Sequence, residues 1–376
     1  MRIAAIDFWR GVILLVIMID HVPGNCLEAF TPRNFCVSDS AEAFVFLSGL
    51  SVGSAYYKRS IGGGLTVVAR ACASRALHIY RMHIALTLAA IMIFGAAYWL
   101  SGMPGLIEAH GRGFIFAEPA RALTGVIFLS HQLGYFNILP MYIVRTLFSP
   151  AILALARASV WRALAVSLFV YAAASVTGFN MPNWPQPGGW SFNPFAWQLM
   201  FTLGVCAAIH WREAPLPRSN PLLAAALAAL VFGAIAVTDF GGLAPGLRDA
   251  LAGAINVQKQ QLGQGRVIYF LALAYAFSQS VSLRRLAESG AGEEFRRLGR
   301  HSLEVFGFGS LLAAIGQAFL PLAGLFGSAA LVESLSILYT LARLIGLFIL
   351  ARFLEWDELE AGARRAAGTI VGASRA

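Results

Sequence analysis

The chain has 376 residues, of which 58% are hydrophobic and only 12% are charged, and its mean hydropathy is +0.68. A soluble domain carries about a quarter charged residues. This composition therefore excludes an ordinary soluble protein and predicts an all-α polytopic integral membrane protein. The formal net charge is +9, and its distribution along the chain favours a topology signal over a nucleic-acid partner.

We predict ten transmembrane helices, because each crossing needs about 20 apolar residues. They are residues 3–22, 41–57, 82–101, 137–156, 162–178, 195–211, 221–238, 266–283, 302–320 and 328–351. Ten crossings place both termini on one side, which carries 19 of the 28 Lys and Arg residues against 6 on the other side. The positive-inside rule then predicts cytoplasmic termini. Residues 1–355 form one membrane domain, and residues 356–376 are expected to be a disordered or surface-lying cytoplasmic tail.

The first span carries ionisable residues at both ends. No small-x-small cleavage site follows its apolar run, so we expect an uncleaved span rather than a signal peptide. Asp7 and Arg10 lie one turn apart near the cytoplasmic end, where a simple ion pair is the alternative to a functional role. Asp20 and His21 close the external end, about 16 Å of helix beyond Arg10. Ionisable groups inside a membrane span are usually functional, although His21 could also be an interfacial residue that hydrogen-bonds a loop.

The second span begins with capping residues and is followed by a cationic segment. Ser38 or Asp39 can cap the helix, and Glu42 lies in its first turn. The small pair Ser48–Gly49 allows a neighbouring helix or a ligand to approach closely. The cytoplasmic segment that follows contains Lys58, Arg59, Arg70, Arg75 and Arg81, with His78 and His83 in or beside it. These cations either anchor the topology or form a phosphate-binding rim, because the arginine fork matches phosphate geometry.

Aromatic and amide side chains alternate in the external strings 130–142 and 190–198. Segment 102–136, which overlaps the start of the first string, is too polar to span and is expected to lie at the membrane surface. An aromatic belt at the interface is one explanation. A sugar-binding surface is the other, because rings stack on sugars while amides bond hydroxyls. The candidate residues are His131, Gln132, Tyr135, Asn137, Trp190, Asn193, Trp197 and Gln198.

Several further residues admit two interpretations. Lys259 and Arg266 are external cations near span eight. His301 and Glu304 lie at the start of span nine, where they either cap the helix or have a functional role. Cys26 and Cys36 share the first external loop, as a disulfide or as two free thiols. No metal-ligand spacing, P-loop or nucleophile motif occurs in the sequence, so we expect the chemistry to come from His21 and the intramembrane charges.

Six strings together carry a family resemblance: IDFWRGVILLVIMIDHVPGN, RNFCVSDSAEAFVFLSG, HQLGYFNILPMY, WSFNPFAWQ, FLALAY and HSLEVF. They closely resemble the OpgC family, which modifies osmoregulated periplasmic glucans with succinyl groups, and they run in register from residue 3 to about residue 306. That family is similar to the acyltransferase-3 superfamily, whose first span has an arginine and a histidine, as Arg10 and His21 do here. The resemblance implies ten core helices, a cytoplasmic acyl-CoA donor, expected to be succinyl-CoA, and an external glucan acceptor. Asn137 departs from the family pattern, where an acid is common, so the resemblance assigns no acid role at that position.

With this resemblance, the residues give a mechanistic hypothesis. Acyl-CoA would be bound by Arg10, Arg70, Arg75 and Arg81, with His83 and Ser48 beside them. Its extended arm would follow span one to His21, which would take the proton of a glucan hydroxyl. Asp20 or Glu42 would orient the imidazole. The transfer could be direct or pass through an acyl-histidine intermediate. Lys259 and Arg266 would bind a succinyl carboxylate.

This hypothesis places the chain in a bacterial inner membrane, with acyl-CoA, a periplasmic glucan and membrane lipid as partners, no bound cofactor or metal, and an open oligomeric state that includes a homo-oligomer. The alternatives are a transporter of an anionic metabolite or lipid-linked sugar, an acetyltransferase of another envelope polysaccharide, and a structural subunit of a glucan-export assembly.

Overall fold

The computed structural model of this chain describes residues 3–22, 25–213, 218–238, 242, 246–325 and 327–373. Within these ranges the protein is α-helical, with short 3₁₀ turns and no β-strand longer than an isolated bridge. The helices are α1 (Ala4–Asp20), α2 (Ser40–Ser101), α3 (Gly105–Glu108), α4 (Arg112–Ala117), α5 (Pro119–Ile127), α6 (Ile138–Ala158), α7 (Val160–Thr177), α8 (Pro194–Glu213), α9 (Asn220–Thr238), α10 (Leu247–Ala254), α11 (Gln264–Gln279), α12 (Val281–Glu288), α13 (Glu293–Arg300), α14 (Ser302–Gly324) and α15 (Ala329–Ala373).

The length and apolar character of the helices indicate a multi-pass membrane protein. Among the described residues, α2, α6, α7, α9, α14 and α15 are each long and apolar enough to cross a membrane. The pair α11 and α12, bent by 75°, would make a seventh crossing. Of the remaining predicted spans, residues 3–22 correspond to the 17-residue α1 and residues 195–211 to the apolar part of α8. Helix α2 contains two predicted spans, 41–57 and 82–101, one in each half. The all-α prediction is confirmed, and the count of ten crossings stays a prediction.

Helix α2 differs from the prediction of two spans joined by a loop at 58–81. Its 62 residues form two helical segments that meet at a break at Gly64, whose φ of +78° glycine adopts without steric cost. The predicted cationic loop is therefore helical. On a helix, Arg70 and Arg81 lie about 20° apart, whereas Arg75 is about 120–140° away from both. These three arginines consequently cannot all face one ligand.

Glycines set the closest helix contacts in the core. A Cβ atom added at Gly49 would collide with the backbone carbonyl of Phe201, and one at Gly204 with that of Phe46, so α2 and α8 cross backbone to backbone. The predicted close approach at Ser48–Gly49 is therefore confirmed for Gly49. Gly299 is equally close to the backbone of Asp7, which fixes α13 against the N-terminal end of α1.

Ion pairs hold helix α13 against α15. Glu355 on α15 accepts hydrogen bonds from Arg297 and Arg300 at 2.5 Å each, and Arg352 donates to Glu294 at 3.0 Å. Since α13 also packs on α1, this arrangement ties the start of α1 to the last helix.

Helix α15 continues as far as Ala373, through most of the segment predicted as a tail. The proposed boundary between domain and tail stays a prediction. In the loop between α1 and α2 Cys36 is a free thiol, and the side chain of Cys26 lies outside the described side chains.

Candidate active site

A cavity of about 220 Å³ lies between α1, α2, α6, α8 and α14. Three arginines line it, namely Arg10, Arg75 and Arg145. The remaining lining residues are Phe44, Ser48, Ser51, Val52, Ala55, Tyr56, Cys72, Ile79, Ile138, Leu139, Tyr142, Thr146, Phe201, Ser302, Leu303 and Phe306. No Asp or Glu is among them, so the cavity is cationic, with apolar and hydroxyl-bearing walls.

Arg145 is the most deeply held of the three cations. Its side chain is buried, its guanidinium lies 3.3 Å from the centre of the Tyr142 ring and 4.7 Å from that of Phe201, and Nη1 donates to the carbonyl of Val45 at 3.4 Å. Among the described residues no carboxylate lies within ion-pair distance of it, and Nε has no hydrogen-bond partner. A buried charge without a counter-ion is costly. This arrangement favours an anionic ligand in the cavity.

Arg10 reaches the cavity from α1. Its guanidinium donates a hydrogen bond to the hydroxyl of Ser302 at the start of α14, and it lies 3.9 Å from the carboxylate of Asp7. The ion pair with Asp7 that was considered as an alternative is therefore present. It does not remove Arg10 from the cavity, because the same side chain also forms part of the wall.

His21 follows the last residue of α1, at the C-terminal end of that helix. Its ring centre lies 4.7 Å from that of Tyr135 and 6.3 Å from that of Phe306, and its backbone carbonyl accepts a hydrogen bond from Gln317 at 2.8 Å. Nδ1 is buried and has no hydrogen-bond partner among the described residues. The imidazole therefore packs against protein rings, and it keeps a free nitrogen for proton transfer.

Phe306 connects the two parts of the site. Its ring belongs to the cavity wall and also makes the edge contact with His21, which does not line the cavity itself. Phe44, another wall residue, stacks on the same ring at 6.4 Å. A ligand that passed from the cavity to His21 would therefore have to displace the Phe306 side chain.

A comparison with protein families identifies the chain. A model of the OpgC protein family matches residues 2–358, nearly the whole length. The chain belongs to the OpgC family. Membership implies an acyltransferase for osmoregulated periplasmic glucans, and the resemblance predicted from the six strings is confirmed. No curated protein and no solved structure matches the chain.

In this OpgC protein neither predicted carboxylate orients His21. Asp20 accepts a hydrogen bond from the hydroxyl of Thr31 at 2.5 Å. Glu42 accepts one from Nε of Arg266, also at 2.5 Å. Asp20 bonds Thr31 and not His21 because adjacent residues on a helix face different directions. The prediction that Asp20 or Glu42 holds the imidazole is therefore wrong for this conformation.

Glu42 instead belongs to an ion-pair network at the start of α2. Asp39 caps the helix, as predicted, and its carboxylate also pairs with Lys259 at 2.6 Å and with Arg266 at 3.0 Å. Burial favours the neutral acid, but the two cations outweigh it and hold the pKa of Asp39 below its ordinary value. Lys259 and Arg266 already have carboxylate partners, so the structure does not offer them as receptors for a succinyl group.

Glu42→Gln tests the structural role of this network. The substitution leaves the buried Arg266 with one acidic partner instead of two, so we expect a loss of about 3 kcal/mol of stability and a lower Tm. The matched control is Glu118→Gln, which removes an exposed pair with Arg121 and should cost less than about 1 kcal/mol. An unchanged Tm combined with lost activity would return Glu42 to the catalytic residues.

The remaining predicted donor residues divide between cavity and surface. Arg75 and Ser48 line the cavity, and the Ser48 hydroxyl donates to that of Tyr142 at 3.3 Å. Arg70 and Arg81 are exposed and lie outside the cavity wall, as their helical spacing requires. His83 is fully buried, and neither of its ring nitrogens has a hydrogen-bond partner among the described residues. Arg70, Arg81 and His83 therefore do not line this cavity, and their role in donor binding stays a prediction.

Most of the predicted glucan-binding residues are buried structural groups. Trp190 donates to the carbonyl of Pro182 at 3.1 Å, and Trp197 to that of Lys259 at 3.0 Å. Asn193 caps α8 and donates a hydrogen bond to Gln261. Gln198 accepts a hydrogen bond from Ser167, and Gln132 donates one to the carbonyl of Leu129. The ring of His131 packs on that of Phe114. Amides in turns often satisfy backbone groups in this way. The role of these residues in glucan binding stays a prediction. Asn137 directly precedes α6, and Tyr135 contacts His21.

Three site residues were not predicted from the sequence. Arg145, Phe306 and Tyr142 lie inside predicted spans, where the last two read as ordinary apolar or belt residues. Only Arg145 carried a usable signal, since a cation in the middle of a span is a functional candidate by default.

Proposed function

We propose that this OpgC protein is a membrane O-acyltransferase that moves a succinyl group from cytoplasmic acyl-CoA to hydroxyls of periplasmic glucans. One observation carries the proposal. A cation-lined cavity contacts helix α1 at Arg10, and the same helix ends at His21, with Phe306 touching both. Arg10, in the wall of the proposed anion-binding cavity, and His21, the proposed proton acceptor, are thus about 16 Å apart along α1.

The cavity supports binding of part of the donor. At about 220 Å³ it is smaller than the usual 300 Å³ or more of a pocket for a drug-sized ligand. The phosphate groups of CoA would therefore bind at its mouth, near the exposed Arg75, while the narrower arm enters between Arg10 and Arg145. Arginine is suited to this task because its fork donates two parallel hydrogen bonds to one phosphate.

At His21 the transfer is a direct acyl exchange. The glucan hydroxyl oxygen attacks the thioester carbonyl carbon, the new C–O bond forms, and the C–S bond breaks. His21 accepts the hydroxyl proton and returns it to the leaving CoA sulfur, so that the products are a glucan ester and free CoA. Neutral imidazole is suited to both proton transfers near neutral pH.

The charge distribution supports the orientation of this reaction. Placing both termini in the cytoplasm puts Arg75 and the ion-paired helix α13 on the side where acyl-CoA is made. His21 and the Asp39–Lys259 pair then face the periplasm of a cell whose inner membrane holds the protein. This orientation follows the excess of Lys and Arg on the terminal side.

Mass spectrometry of glucans tests the proposed function most directly. Periplasmic glucans are extracted from cells that express this chain and from otherwise identical cells that lack it. We expect succinyl esters on glucans from the first cells only. Identical glucan mass profiles from both strains, with the protein present in the membrane, would contradict the proposal.

A further inference from the structure

Helix α15 carries a buried polar face that the proposed function does not yet use. Ser336, Thr340 and Arg343 follow one another at helical spacing of four and three residues, so they lie on one side of the helix. Their exposed fractions are 4%, 0% and 2%. We call these three residues the α15 polar face. In the part of the chain that the structure describes, each has at least one buried side-chain atom without a hydrogen-bond partner, namely both hydroxyl oxygens and Nε and Nη1 of Arg343.

This face lies against the external end of α1. Nη2 of Arg343 donates to the carbonyl of Met18, one turn before His21, and the guanidinium interacts electrostatically with the imidazole. Tyr339, between Ser336 and Thr340 in sequence, hydrogen-bonds the carbonyl of Leu312 on α14. The α15 polar face and His21 therefore belong to the same region, enclosed by α1, α14 and α15.

Helix capping alone does not account for Arg343. A cation near the C-terminus of α1 stabilises the free carbonyls there, and the bond to Met18 does this with one nitrogen. The other two nitrogens stay buried and unpaired, and no carboxylate of the described residues forms an ion pair with Arg343. Unpaired buried donors of a charged group are costly. A ligand anion beside His21 would satisfy them.

We propose that Arg343, assisted by Thr340, binds the free carboxylate of a dicarboxylic acyl group while His21 acts at its thioester end. This inference rests on the proposed acyl transfer. It makes Arg343 a residue that determines acyl specificity. A succinyl group suits the arrangement because a short methylene chain separates its carboxylate from its reacting carbon. Arg266 and Lys259, the other external cations considered for this role, are already paired with Glu42 and Asp39.

The test compares two donors on the full-length protein in proteoliposomes with glucan present. Succinyl-CoA carries the carboxylate, whereas acetyl-CoA lacks it, and the readout is the ratio of the two transfer rates. In Arg343→Gln we expect this ratio to fall roughly tenfold or more, because the carboxylate loses a charged hydrogen-bond partner. Arg343→Lys should retain part of the preference. The matched control is Arg352→Gln, an exposed arginine on the same helix, which should leave the ratio unchanged.

The outcomes separate this inference from the proposed function. An equal loss with both donors, or an unchanged ratio in folded Arg343→Gln, would overturn the carboxylate assignment. Should that variant fail to fold, Thr340→Val decides in its place. A lowered ratio supports the inference, and an unchanged ratio overturns it. If wild-type protein transfers neither acyl group to glucan, the proposed function fails instead.

Discussion

His21→Ala is expected to lower acyl transfer to glucan roughly 100- to 10,000-fold, the usual contribution of a general base. Among the described residues the imidazole keeps a buried nitrogen without a partner, and it contacts the ring that borders the cation-lined cavity. Removing it takes away the proposed proton acceptor, since the neighbouring Asp20 carboxylate is hydrogen-bonded to Thr31, while the cavity itself remains intact. The rate of glucan acylation by purified protein gives the measurement, and acyl-CoA binding should be close to that of the wild type.

A matched control for this variant is His210→Ala. His210 is exposed near the end of α8 and is not part of the cavity wall, so its removal should leave the rate unchanged. Retained turnover in His21→Ala, at normal protein abundance and Tm, would remove His21 from the chemistry. A loss of donor binding as large as the loss of rate would assign His21 to substrate binding instead.

Arg145→Gln is expected to weaken acyl-CoA binding by roughly 10- to 100-fold, the equivalent of one charged hydrogen bond. The reason is that Arg145 is buried beside Tyr142 and Phe201, where solvent screens its charge poorly. Calorimetry with acyl-CoA and the purified protein measures the affinity. Arg145→Lys keeps the charge and should retain part of the binding.

Arg75 and Arg81 make an internal comparison for this prediction. Both are exposed arginines of α2, but only Arg75 lines the cavity. Arg75→Gln should weaken acyl-CoA binding, by less than Arg145→Gln because water screens its charge. Arg81→Gln should leave the affinity unchanged. Equal effects at positions 75, 81 and 145 would mean that donor affinity reflects general positive charge and not this cavity.

Local patterns in the sequence predicted well what depends on neighbouring residues. The all-α membrane character follows from composition, the cap at Asp39 follows from the residues around it, and the close helix contact follows from Gly49. The positions of Arg10 within α1 and of His21 at its C-terminal end could also be predicted, because both depend only on the length of one helix.

Pairings between distant segments could not be predicted. Glu42 and Arg266 are separated by 224 residues, and nothing in either string indicates that they meet. The same limit applied to Trp190 and Asn193, whose polar atoms are bonded to backbone groups in other loops. Residues 58–81 were interpreted as a connector because they are basic, yet a helix tolerates exposed arginines well. Helical geometry then decided which of these arginines reaches the cavity.

The central claim is that the donor binds at the cytoplasmic side while the acceptor reacts at the other. Sealed vesicles with the cytoplasmic face outward test it, with glucan enclosed and acyl-CoA, which does not cross the bilayer, added outside. Acylated glucan inside wild-type vesicles, absent with His21→Ala, is the predicted result. Acylation that occurs only when glucan and acyl-CoA share one side of the membrane would contradict the claim.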